Sequence, residues 1–139
     1  MATSNQPIYP QVLSNSAVQI LPADTTTKKV LCTAGVNGSK VEWINVQSTD
    51  TAARDITITL SDGTTDYPLV NFSCLANAGN TNNIPAISVF SNAQIPTLTY
   101  DSNGNKFLYL EAGWSIKVSS GVTVTAAKAI TFITQLEDF

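Results

Sequence analysis

"RDITITLSDG", residues Arg54 to Gly63, constrains the fold of this chain more than any other stretch. Ile56, Ile58 and Leu60 alternate with Thr57, Thr59 and Ser61, a two-residue period that suits an extended strand with one buried face. Asp62-Gly63 then supplies a tight turn. "DYPLVNFSCLA" (Asp66 to Ala76) follows as the hairpin partner, with Pro68 marking an edge or a strand start. Strand signals return in "KKVLCTA" (Lys28 to Ala34), in "AISVFS" (Ala86 to Ser91) and in Trp114, Ile116 and Val118. "KVEWINVQS" (Lys40 to Ser48) is apolar on both faces, as expected of a strand buried on two sides or bulged. Asn103-Gly104 centres another hairpin. A helix is permitted around Ala126 to Ala129, but Ile130, Phe132 and Leu136 fall on even spacing and favour a strand. Eight or nine short antiparallel strands, with turns between them and no convincing helix, predict an all-β, jelly-roll-like β-sandwich.

The first 27 residues differ in character. They carry one charged side chain, Asp24, and three prolines, Pro7, Pro10 and Pro22. The residue before each proline is pushed out of helical geometry, so residues 1–27 read as an extended arm and residues 28–139 as the β-sandwich domain. Ile8, Tyr9, Val12 and Leu13 give the arm apolar handles for a partner.

A chain of 139 residues is most simply one domain, long enough to bury roughly 68–70% of its unfolded surface. Only 12% of its residues are charged, about half the usual roughly 25%; Thr, Ser and Asn fill the gap. Such a neutral polar surface suits a protein covered by partners, where each unpaired buried charge costs free energy. The net charge is −3, and Arg54 is the only arginine beside six scattered lysines. This excludes the clustered positive charge of a nucleic-acid binder. No secretory signal and no apolar run long enough to span a bilayer is found, so a soluble protein made in a cytoplasm is expected. Cys32 and Cys74 lie in apolar strand-like runs and read as free buried thiols.

Reactive chemistry is scarce. The absence of histidine removes the commonest general base and metal ligand, and no serine or cysteine has the spacing of an activated nucleophile. "GVNGSK" (Gly35 to Lys40) lacks the order of a phosphate loop and reads as a turn. "DSNGNK" (Asp101 to Lys106) begins like a calcium loop but has its glycine at the fourth position and no glutamate at the twelfth. Asp62 and Asp66 flank a turn without the cleft a glycosidase pair needs. No catalytic residue, cofactor or metal is expected. Trp43 and Trp114 read first as packing aromatics.

"MATSNQPIYPQ", "TAGVNGSKVEWINVQSTDTAARDITITL", "YDSNGNKFLYLEAGWSIKVSSGVTVTAAKAITF" and the close at Phe139 cover well over half the chain. In style and arrangement they resemble the small β-rich virion proteins of tailed bacteriophages, of the head decoration type. The resemblance implies a non-enzymatic accessory protein in the virion that binds the major capsid protein of an assembled head, often as a trimer, and is made in the host cytoplasm. It carries over no functional residue individually. A receptor- or carbohydrate-binding module of a tail or head fibre shares the same fold physics; exposed aromatics in a groove would mark it.

Overall fold

A computed structural model describes residues 10–91 and 93–139 of the chain. The described residues form strands β1 (Val12–Ile20), β2 (Lys29–Thr33), β3 (Ser39–Ser48), β4 (Arg54–Ser61), β5 (Asp66–Cys74), β6 (Ile87–Ser88), β7 (Thr99–Tyr100), β8 (Lys106–Leu110), β9 (Ser115–Ser120) and β10 (Ile130–Asp138). A single 3-10 turn, Pro22–Asp24, separates β1 from β2. The chain is therefore all-β, with two antiparallel sheets. The larger runs β1-β10-β3-β8-β7, with β6 also on β3; the smaller runs β2-β9-β4-β5.

Four of the pairings nest. β4 pairs β5, β3 pairs β8, β2 pairs β9 and β1 pairs β10, each antiparallel, so the chain doubles back along its whole length. Two further pairings, β10 with β3 and β4 with β9, weld that doubled chain into the two sheets. One apolar core draws on both: Val41, Ile44, Val46 and Phe132 from the larger sheet, Ile56, Ile58, Ile116 and Val118 from the smaller. Leu136 and Ile130 are buried with them, so the even spacing in the last segment marks a strand, while Ala126–Ala129 is a turn and loop.

Departures from the two-residue period have local causes. In β3, Ser39 and Val41 are buried, and then Ile44, Val46 and Ser48. Opposite this phase change the register slips, since Gln135 faces Trp43 while Leu136 faces Val41. Glu42 is the extra residue of a β-bulge, which bends a strand and re-aims its side chains. In β5 a second irregularity skips Leu69, because Pro68 cannot supply a ladder N–H.

The expected arm forms a strand over nine of its 27 residues. From Val12 it is β1, in unbroken register with β10 over nine residues. Its inward positions Ser14, Ser16, Val18 and Ile20 hold only two apolar side chains, so backbone pairing with a strand over a hundred residues away orders what local composition leaves open. Ile8 and Tyr9 lie outside the described residues.

The chain crosses between sheets repeatedly, and two crossings are tied together. Asp50, between β3 and β4, is fully buried; its carboxylate accepts from Arg54 Nε at 2.8 Å, Thr125 Oγ1 at 2.7 Å and the Ala52 N–H at 3.0 Å. Thr125 lies between β9 and β10, and Arg54 Nη2 donates to its hydroxyl at 2.9 Å. Burial pushes the Asp50 pKa up, but the guanidinium, the Thr125 hydroxyl and the backbone N–H groups together hold it well below the usual carboxylate range. The only arginine of the chain is thus structural.

Candidate functional site

The outer face of the larger sheet is laid out in ranks that follow from the register. Leu13, Glu137, Lys40 and Tyr109 make one rank; Asn15, Gln135 and Trp43 the next; Ala17, Ile133, Asn45 and Ser88 the third; Gln19, Thr131 and Gln47 the last. This face exposes Ile133 and Trp43 among neutral amides, and Leu13 and Tyr109 beside Glu137 and Lys40. Of the residues nominated from sequence for a partner, Val12 and Leu13 begin β1 and are 56% and 63% exposed. Ile133, Tyr109 and Tyr100 escaped sequence reasoning, because an outward apolar residue looks the same as an inward one until register is known.

The sheet edges differ in protection. An exposed edge strand invites pairing by another chain, and charges, prolines, bulges and shortness guard against it. β5 carries Asp66, Pro68 and an irregular register; β2 has five residues, begins at Lys29 and slips register between Val30 and Cys32; β7 has two residues. β1 has nine residues and neither a charge nor a proline. Its second half is held to β2, since Ser16 Oγ donates to the Leu31 carbonyl at 2.5 Å and Lys29 Nζ to the Gln19 carbonyl at 2.6 Å. Among the described residues, Val12 to Asn15 form the open section.

Charge on this face is internally matched. Lys40 Nζ lies 3.1 Å from Glu42 and 3.2 Å from Asp101, and 5.0 Å from the centre of the Phe107 ring. Burial pulls the Lys40 pKa down, but the Glu42 and Asp101 carboxylates outweigh it and the ammonium is stabilised. Glu137 is pushed up by burial first and then by the neighbouring Glu42 carboxyl.

Beside this cluster lies a cleft of about 490 Å³, lined by Glu42, Trp43, Ser88, Phe90, Tyr100, Gly104, Asn105 and Lys106. The β3 bulge makes it. With Val41 and Ile44 both inward, Glu42 and Trp43 must both point out, and the indole is left 39% exposed. On the far wall Tyr100 is 55% exposed, with Lys106 Nζ 5.5 Å from its ring centre and also donating to the Ile95 carbonyl at 3.0 Å. Trp114 behaves differently: it is half-buried against the core and stacks on Tyr67 with centroids 6.0 Å apart, a packing role.

The remaining carboxylates serve turns and ion pairs. Asp101 Oδ1 accepts from the N–H groups of Asn103 and Asn105, both at 2.9 Å, closing the turn at Gly104, whose φ is +82°. Asp62 Oδ1 accepts from Thr64 and Thr65 at 2.8 and 2.7 Å. The backbone N–H bonds, from Asn105 and from Thr65 above all, lower both pKa values. Asp66 is lowered to about 2 by the Ser61 hydroxyl, Lys117 and Lys28. Asp62 and Asp66 thus both favour the ionised form, the reverse of what a glycosidase acid needs. Cys32 and Cys74 are free and buried, and burial pushes their thiols up to about 12 and about 11, so neither is poised as a thiolate. Among the described residues no three His, Cys, Asp or Glu side chains gather as a metal site, and no helix is long and apolar enough to cross a membrane. No protein-family model and no curated protein matches the chain.

Proposed function

We propose that this chain is a non-enzymatic structural protein of a phage virion, a decoration protein that docks on the assembled head as a homo-oligomer, with a trimer favoured. The observation that carries this reading is the unguarded first section of β1. An uncharged, proline-free edge strand with Val12 and Leu13 exposed is a surface for adding a strand from a neighbouring chain. The ranks of Asn15, Ala17 and Gln19 are neutral, and Lys40 in the Leu13 rank is already paired with Glu42 and Asp101, so a shell or a second copy meets few unmatched charges on this sheet. The strand order supports the same reading. Counting only the eight strands of five residues or more, first pairs eighth, second pairs seventh, third pairs sixth and fourth pairs fifth. This is the order of a jelly-roll sandwich, an architecture used by capsid and lectin domains.

The double variant Val12→Lys/Leu13→Lys tests the proposal. Lysines on an edge block strand addition, and both positions face solvent, so folding is spared. The variant is expected to keep its melting temperature, to run as a monomer in size-exclusion chromatography with light scattering, and to be missing from purified heads viewed by electron microscopy. Wild-type assembly and head binding by the variant would refute the docking role of β1.

A further inference from the structure

We infer that the cleft between β3 and the β7–β8 hairpin is a binding site for a neutral saccharide. The first ground is the bulge at Glu42. A regular β3 could not hold Val41 and Ile44 in the core and Trp43 in solvent at once; the register break sets the indole on the outer face. Bulges of this kind are enriched beside binding and active sites, where they re-aim one side chain. Trp43, half-exposed, and Tyr100, exposed but with Lys106 over its ring, line one cleft, and the indole offers a flat apolar face for the C–H face of a sugar ring.

The polar lining selects the ligand class. Glu42 supplies acceptors, Asn105 both donors and acceptors, and Ser88 a hydroxyl, the mixed set that sugar hydroxyls need. Charge is balanced, with Glu42 on one side and Lys106 on the other. An anion would also meet Asp101 beyond Glu42, and a cation would meet Lys40, which Glu42 and Asp101 already hold. A neutral polyol meets neither penalty. The volume, about 490 Å³, is in the range of small-molecule sites. Exposed aromatics in a groove are also the mark of the receptor- or carbohydrate-binding alternative, and because the cleft lies two strands from β1 the docking edge and the saccharide site are tested by separate variants.

Titration calorimetry of the purified chain against neutral hexasaccharides (malto-, cello-, chito-, manno- and xylo-series) is the test, with a sialylated oligosaccharide and spermidine as charged probes. At least one neutral series is expected to bind, with affinity reduced about tenfold or more in Trp43→Ala and in Tyr100→Ala. Both variants should keep the wild-type melting profile. Val12→Lys/Leu13→Lys should bind the saccharide as wild type does, whatever its effect on assembly. The inference is overturned if no neutral series binds at millimolar concentration, if binding survives both ring deletions, or if only a charged probe binds.

Discussion

The two sheets turn very different outer faces to solvent. On the smaller one the outward ranks are Thr57 with Asn71 and Ser119, Thr59 with Pro68, Lys117 and the exposed Val30, and Ser61 with Asp66 and Ser115, and of these Thr59, Ser61 and Ser119 are buried. Asn71 Nδ2 donates to Thr57 Oγ1 at 2.8 Å, Asp66 is held by Lys28 and Lys117, and the edge is blunted by Pro68. The exposed ring of Tyr67 is stacked against Trp114. On the larger sheet Trp43 and Ile133 stand outward between amides and Tyr109 beside Lys40, and β1 ends the sheet with a section that no other described residue guards. On the smaller face Asn71, Asp66, Lys28 and Lys117 are paired while the buried Thr59 hydroxyl has no partner; on the larger, Trp43 and Ile133 leave apolar area open. Under the proposed docking role the larger sheet is the contact face and the smaller one the solvent face.

That contrast depends on a frame common to both faces, and the largest effect should come from breaking it. Arg54→Ala leaves the buried Asp50 carboxylate without its cation and loosens two crossings between the sheets. Removing one partner of a buried pair costs about 3–5 kcal/mol, a large share of the roughly 5–15 kcal/mol of a typical domain. Because the folded Asp50 pKa is depressed, its contribution is complete above the unfolded value of about 3.9 and is lost as pH falls below it. Urea melts at several pH values should therefore show the deficit of the variant greatest near neutrality and shrinking below about pH 4. A deficit independent of pH would mean that Arg54 acts through packing alone.

The two tryptophans sharpen the comparison at the next level. Trp114 closes one end of the core and stacks on Tyr67, but part of its ring meets water. Trp114→Ala should cost about 2 kcal/mol, below the roughly 3–5 kcal/mol of a fully enclosed aromatic site. Trp43→Ala, in the open cleft, should cost less than about 1 kcal/mol. Thermal melts of the two variants side by side decide this. Equal costs would show that Trp43 is as much a packing residue as Trp114, and the contact face would lose its largest ring.

How much of this was legible beforehand depends on the range of the interaction concerned. β4 and its hairpin to β5 are written in adjacent residues, and Ile56 and Ile58 are buried as their alternation requires, but Thr59 and Ser61 are buried as well, so the second half of β4 is covered on both faces rather than one. The double-sided apolar pattern of "KVEWINVQS" announced a bulge as one of two readings, and the bulge is there. From sequence, β1 reads as part of an arm because its pairing with β10 spans nearly the whole chain and its inward row holds two serines. The cleft was hidden for the same reason: Trp43, Ser88 and Tyr100 come from strands that meet only in the folded sheet. Trp43 was visible as a residue, but its outward aim depends on one extra backbone residue.

The smallest effect is expected on the solvent face. Lys117 Nζ lies 3.2 and 3.4 Å from the two oxygens of Asp66, while Lys28 reaches the same carboxylate at 3.2 Å. Lys117→Met removes one of two cations and leaves the Ser61 hydroxyl, the first cause of the lowered Asp66 pKa, in place. Exposed pairs of this kind are screened by salt and contribute little, so the melting temperature should move by an amount near the limit of measurement, and less still in high salt. The pH dependence gives the finer reading. The wild-type carboxyl, with its pKa lowered to about 2, adds stability above the unfolded value of about 3.9 and loses it as pH falls toward 2. In Lys117→Met the pKa should rise part of the way back, and the loss should be confined to a narrower span below about pH 4; the carboxyl carbon shift of Asp66 followed by NMR reports it directly. The same variant should bind heads as wild type does. If Lys117→Met abolishes head binding while Val12→Lys/Leu13→Lys preserves it, the smaller sheet is the contact face and the assignment drawn from exposed rings and the open edge is reversed.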